Sequence, residues 1–314
     1  MRPRGRAILA ALPLLVLFSS EGHARQSPVD VGLIARVEPS ILVPKLLYEP
    51  KEGIAIELSL LNPARVPVDV PEKCLTAESV TITRVGSDAP LHGSGRPLDR
   101  GPLTLAPGAT RKIDIGLTAR YRIKQAGRYR LSWECGEWRT DHYEFFVGAP
   151  YDRDKDRVAV VTTDLGTMEL MMMPEQAPVH VRNFVQLARA GYYDDMIFYR
   201  ILPGTQAEAG DRTGSGTGGW DHQIAAEIDR GISPGKGLVG AVRRESTVTS
   251  ASMFFILLDA QPGYQGLHTF FAYVRSGMEV VDALGAVEVS GEKGIGAFRP
   301  AKSIFIRKIE IKAP

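Results

Sequence analysis

From residue 29 the chain alternates in short bursts. Ile54, Ile56, Leu58 and Leu60 place large apolar side chains at every second position, with Ala55, Glu57 and Ser59 between them. Val80-Thr81-Ile82-Thr83 alternates again. Leu103-Thr104-Leu105 runs into the turn Pro107-Gly108, and Lys112 to Leu117 follows. Tyr129 to Trp133 and Tyr143 to Val147 close the series. Period two with frequent turns and no helical period predicts an antiparallel β-sandwich over residues 27–148. Residues 149–157 are short, polar and rich in charge, and read as a linker.

The grammar changes at Val158. Val158 to Thr163 and Thr167 to Met173 flank the turn Leu165-Gly166 and predict a hairpin. Pro178 suits a first helical turn, and Val181, Phe184, Val185, Leu187 and Ala188 keep helical spacing until Gly191. Further strands are expected at Ile197–Ile201, Met253–Leu257, Thr269–Val274 and Ser303–Ile311, with a helix at Glu279–Leu284. Many strands with two separated helices predict a closed sheet with a helix at each end. The chain is therefore mainly β, in two parts.

The first residues change the picture of where it acts. Arg2, Arg4 and Arg6 precede an apolar run from Ala7 to Phe18, and small residues stand at Gly22 and Ala24. This predicts a signal peptide over residues 1–24 and an exported protein, periplasmic or secreted. The twelve-residue run spans about 18 Å as a helix, short of a bilayer core of about 30 Å. No membrane span is expected after cleavage. Lys and Arg number 38 against 36 Asp and Glu; removing residues 1–24 leaves 35 of each sign. Such balance offers no electrostatic footprint for nucleic acid. Cys74 and Cys135 are too few for a disulfide scaffold or a thiolate zinc site. In an oxidising compartment they are expected to bond to each other, the alternative being two separate buried thiols. No metal site is expected.

Five ordered blocks in the second half carry a resemblance. They are Ala177-Pro178 with Asn183-Phe184 and Gly191-Tyr192-Tyr193-Asp194; Phe198-Tyr199-Arg200-Ile201-Leu202-Pro203-Gly204; Gly210-Asp211 with a glycine-rich loop; Ser252-Met253-Phe254-Phe255-Ile256; and Gly266-Leu267-His268-Thr269-Phe270-Phe271, ending in Gly277-Met278-Glu279-Val280-Val281-Asp282. Residues 158–313 thereby resemble the cyclophilin family of peptidyl-prolyl isomerases. The resemblance implies an eight-stranded β-barrel capped by two helices, an enzyme that rotates Xaa-Pro bonds without a cofactor, and proline-containing polypeptides as partners. In the first half, Ala126 to Leu131 resembles an immunoglobulin-type strand entry, which implies an immunoglobulin-like sandwich. The loop Gly214 to Gly219 spells a dinucleotide pattern but neither follows a βαβ strand nor opens an apolar helix.

The resemblance assigns roles residue by residue. Arg200 matches the essential arginine, Phe255 the aromatic floor of the proline pocket and His268 its rim. Thr205, Gln206 and Glu208 stand where the family has an aromatic, a methionine and a glutamine. Met253 replaces a second glutamine. Ala241 and Arg243 occupy another wall, after Gly240 where methionine is usual. Gly263 aligns near an expected aromatic, and Tyr264 near the usual leucine. Glu208 is positioned to form an ion pair with Arg200. These substitutions imply a weaker grip on the prolyl ring. They keep a second reading open: a weakly active or inactive binding module or chaperone. The role expected for the isomerase is assistance to the folding of exported proteins. Oligomeric state is not legible.

Overall fold

The computed structural model describes residues 36–314 except 88, 95–96, 100–101, 219–221, 244 and 292–296. The signal peptide expected over residues 1–24 lies outside the described residues.

In residues 36–148 the alternation becomes two main sheets over one core. Strand Ala55–Leu61 lies between Glu38–Leu42 and Thr110–Gly116, antiparallel to both. Its inward residues Ile56, Leu58 and Leu60 are at most 2% exposed. The second sheet runs Leu47–Tyr48, Tyr143–Val147, Gly127–Cys135, Val80–Arg84, Pro90–Leu91. Its Ile82, Leu131, Trp133 and Phe145 meet the first sheet's residues in a shared cluster. Cys74 and Cys135 are disulfide-bonded, with Cα atoms 5.2 Å apart. Trp133 Nε1 donates to the Cys74 carbonyl at 3.0 Å, which ties the strand to the segment the bridge holds. The strand expected through Leu117 stops at Gly116; Leu117–Tyr121 is a helical turn that ends at Arg122 with φ 51°. A left-handed residue cannot continue either element.

Residues 149–157 are tied to the second half through Asp156. Asp156 is 4% exposed. Its carboxylate accepts from Arg189 Nη1 at 2.7 Å and from the Asp152 amide at 2.7 Å.

The second half builds one antiparallel sheet. Its strands run in the order Met196–Ile197, Phe305–Lys312, Val158–Thr163, Gly166–Met172, Phe270–Ser276, Leu238–Arg243, Val248–Leu257, Gln206–Ala209, Arg200–Leu202. The expected strand Ile197–Ile201 is broken in two. Met196–Ile197 pairs with Phe305–Lys312 and Arg200–Leu202 with Gln206–Ala209. Between them the Phe198 amide bonds Ile304 O and the Tyr199 amide bonds Glu208 O, both at 3.0 Å. Adjacent residues thus hand the chain from one end of the path to the other, which curls the sheet into a barrel and breaks the ladder at the corner. Eight strands circle the barrel when residues 196–202 count once.

Helix Pro178–Arg189 buries Val181, Phe184, Val185, Leu187 and Ala188 on the barrel. Helix Met278–Gly285 buries Val280, Val281 and Leu284. Within strand Val248–Leu257 the period is two: Phe254 and Ile256 join the barrel interior, while Phe255 and Leu257 face outward into a smaller cluster with Phe270. That outward cluster is the base of the site.

Candidate active site

Strand register assembles the site. Arg200 pairs across from Glu208, Glu208 from Phe255, Phe255 from Gly240, and Gly240 from Phe270. Directly opposed residues on adjacent strands share a face. Residues spread over seventy positions of sequence therefore stand in one row. Gly240 is needed in it: a Cβ there would lie 2.4 Å from Phe255 Cζ. The Phe255 ring lies across the space the glycine leaves.

At one end of the row a buried carboxylate collects three donors. Glu208 is 3% exposed. Its Oε1 accepts from Arg200 Nη1 at 2.8 Å and from Gln206 Nε2 at 2.7 Å. Its Oε2 accepts from the Tyr199 hydroxyl at 2.9 Å, and burial followed by the Glu208 charge pushes that phenol well up, so it stays a donor. The Arg200 side chain is 41% exposed, so the guanidinium is anchored at one nitrogen and open on its other side. Gln206 and Glu208 are two residues apart on one strand, so both side chains reach the same face.

At the other end sits an aromatic group. Phe255 is 1% exposed. His268 meets it edge-on at 5.2 Å and Phe270 edge-on at 6.0 Å. Tyr264 stacks on His268 at 4.5 Å and meets Phe255 edge-on at 6.1 Å. Burial, reinforced by the nearby Arg243 charge, pushes the His268 ring down to about 4, against a weaker opposing backbone hydrogen bond with Ala241. The imidazole is therefore neutral at physiological pH. Its Nδ1 has no partner among the described residues.

The expected wall residues divide. Thr205 sits in the turn after Gly204 and donates its amide to Leu202 O at 3.0 Å. Gln206 is turned back onto Glu208 and does not face outward. Arg243 acts on the site through its charge. Ala241 does not bring its side chain there: it is 2% exposed within the barrel core, and only its backbone serves the site, bonding Thr269 O at 2.9 Å. Met253 is 2% exposed and, two residues before Phe255 on the same strand, lies on that residue's side of the sheet. The side chains packed against the Phe255 cluster are Ile232, Leu238, Val242 and Tyr264. Leu238 and Val242 were legible from period two about Gly240. Tyr199 carried no local signal, because its role depends on the strand break beside it. A separate cleft of about 530 Å³, bounded by Leu46, Glu49, Arg182 and His222, shares no residue with the row.

Residues 157–311 match the family described as cyclophilin type peptidyl-prolyl cis-trans isomerase/CLD. The chain is 36% identical over 155 residues to peptidyl-prolyl cis-trans isomerase-like 1 of Aspergillus fumigatus, covering 48% of this chain and 93% of that protein. The chain belongs to the cyclophilin-type family. The cyclophilin of the same name from Gibberella zeae is 34% identical over 156 residues, again covering 48% of this chain and 93% of the relative. A crystal structure of a Cryptosporidium parvum cyclophilin type isomerase superposes with a TM-score of 0.47 at 24% identity, covering 50% of this chain and 98% of that one. A second structure of that protein was determined in the presence of the dipeptide Ala-Pro, again with a TM-score of 0.47. Among the described residues of this cyclophilin, no helix is long and apolar enough to cross a membrane.

Proposed function

We propose that the chain is a peptidyl-prolyl cis-trans isomerase acting on Xaa-Pro bonds of unfolded or partly folded chains. The register row supports this reading above all. Arg200, with one open side to its guanidinium, and Phe255 stand in that row, and the neutral His268 imidazole meets the Phe255 ring edge-on. Rotation about a peptide bond faces a barrier of about 20 kcal/mol, because twisting destroys amide resonance. A site lowers it by binding the twisted amide better than either planar form. Arg200 is the group for the developing lone pair on the prolyl nitrogen or for the adjacent carbonyl. Phe255 and His268 are the surfaces for the pyrrolidine ring. The test is a protease-coupled assay with a proline tetrapeptide. Arg200→Ala is expected to lower kcat/KM by more than about tenfold, a loss of about 1.4 kcal/mol; an unchanged rate removes the assignment.

Two observations favour the second reading, a binding module of low activity. Glu208 neutralises Arg200, and the Phe255 floor is almost fully covered. A chain that binds proline peptides without accelerating their isomerisation would establish it.

In this proposal the protein is exported and serves clients in an oxidising compartment, periplasmic or extracellular. The Cys74–Cys135 bond supports that placement. Sequencing of the mature amino terminus is expected to begin at residue 25. The proposal also treats residues 27–148 as an immunoglobulin-like client-recognition or tethering domain. Its support is the tyrosine–backbone bond at the entry to the Gly127–Cys135 strand, Tyr129 hydroxyl to Gln125 O at 2.7 Å, and Trp133 bonded to the Cys74 backbone. Equal refolding of large clients by the full chain and by a chain with its surface strands altered would count against that role.

A further inference from the structure

We infer that Tyr264 is a specificity-determining residue whose ring caps the Phe255 floor and must turn aside before a prolyl ring reaches it. This rests on the isomerase reading of the same site and adds the element that decides access to it.

Phe255 is 1% exposed although it lies on the outer face of the barrel. Strand neighbours cover its base: Gly240 lies beneath it, and Leu257 and Phe270 complete the cluster. Around it pack Ile232, Leu238 and Val242, the His268 ring and, from the turn Pro262–Tyr264, the Tyr264 ring. Tyr264 lies on His268 at 4.5 Å with an interplanar angle of 29°, and its ring meets Phe255 at 6.1 Å and 84°. It thus occupies both surfaces that the isomerase reading gives to the substrate.

Thr205 is small, and Gln206 is drawn back onto Glu208. The Tyr264 phenol is pushed up by burial and by the Glu208 charge, with Arg200 opposing. Its hydroxyl makes no hydrogen bond among the described residues, so only ring contacts hold it. The turn is also uncrowded: a Cβ on Gly263 would meet nothing within 4 Å. Displacing the ring breaks the contacts with His268 and Phe255 and no strand pairing, because residue 264 lies in a turn.

A substrate that needs the open form binds with an apparent affinity reduced by the fraction of open molecules. One aromatic stack and one edge contact hold the cap, and each such pair is worth roughly two- to tenfold. Tyr264→Ala is therefore expected to lower KM for a proline tetrapeptide by roughly fivefold or more, with kcat within about twofold. Tyr264→Phe keeps the ring and is expected to show no such fall in KM. A raised KM in Tyr264→Ala would show that the ring is a wall holding proline, and would overturn the cap; so would an unchanged KM. Titration with the Ala-Pro dipeptide separates the two claims. If neither protein isomerises but Tyr264→Ala binds the dipeptide more tightly, the cap stands and the isomerase reading falls. If the parent chain shows Arg200-dependent isomerisation while Tyr264→Ala shows no gain, the isomerase stands and the cap falls. Equal or absent dipeptide binding in both proteins likewise overturns it.

Discussion

Phe145 and Phe146 are consecutive residues of one strand, yet they belong to two different cores. Phe145 stacks on Tyr129 at 5.3 Å within the first half of the chain. Phe146 meets Tyr192 edge-on at 5.0 Å within the barrel cluster. Opposite faces of one strand thus serve both halves. Truncating either side chain to alanine is expected to cost about 3–5 kcal/mol. Hydrogen exchange should separate the two effects. Phe145→Ala is expected to speed exchange at Leu131, and Phe146→Ala at Val185 and Tyr192. Identical exchange patterns in the two variants would contradict the division.

The Arg200–Glu208 pair makes a prediction about charge. A carboxylate bonded to the guanidinium reduces the field that Arg200 presents to a substrate amide. Glu208→Gln keeps the size of the side chain and removes the charge. It is expected to raise kcat/KM for a proline tetrapeptide by roughly three- to tenfold, about 1 kcal/mol of transition-state stabilisation. It should also lower stability, because three donors lose a charged acceptor. A fall in activity with the fold intact would mean that the carboxylate serves to orient the arginine.

Burial, with the Arg243 charge beside it, pushes the His268 ring down to about 4 in the folded chain, from the usual imidazole value of 6.5. Between these values the unfolded chain binds the extra proton, so stability present above pH 6.5 is lost as pH falls towards 4. The loss from this one group is on the order of 2 kcal/mol, allowing for its partial exposure. Urea unfolding at pH 7.5 and pH 4.5 should show it, and His268→Gln should lose that part of the pH dependence. Isomerase activity is expected to stay level from pH 8 to 5, because the imidazole remains neutral throughout.

The Cys74–Cys135 bond closes a long loop within the first half. Reduction is expected to destabilise that half by about 4 kcal/mol in the chain-entropy model. Its thermal transition should move down, while the rate of peptide isomerisation at 25 °C remains that of the oxidised protein. Loss of isomerase activity on reduction would place the bridge in the working of the site.

The alternation of Ile54 to Leu60 and the helical spacing of Val181 to Ala188 announced their elements, because burial of one face repeats at two residues in a strand and at three or four in a helix. The ordered blocks around Arg200, Phe255 and His268 announced the barrel. Local pattern failed at Ala241, whose side chain points into the barrel, and at the Ile197–Ile201 run, which breaks where the sheet closes. Which residues oppose one another depends on register between strands distant in sequence, and no local period encodes register. The amino-acid order thus determined the kinds of element and the chemical groups available. Only the tertiary structure decided that Glu208 would hold Arg200, that Gly240 would make room for Phe255, and that Tyr264 would lie over it, because each of these contacts joins segments that only the closed sheet brings within reach.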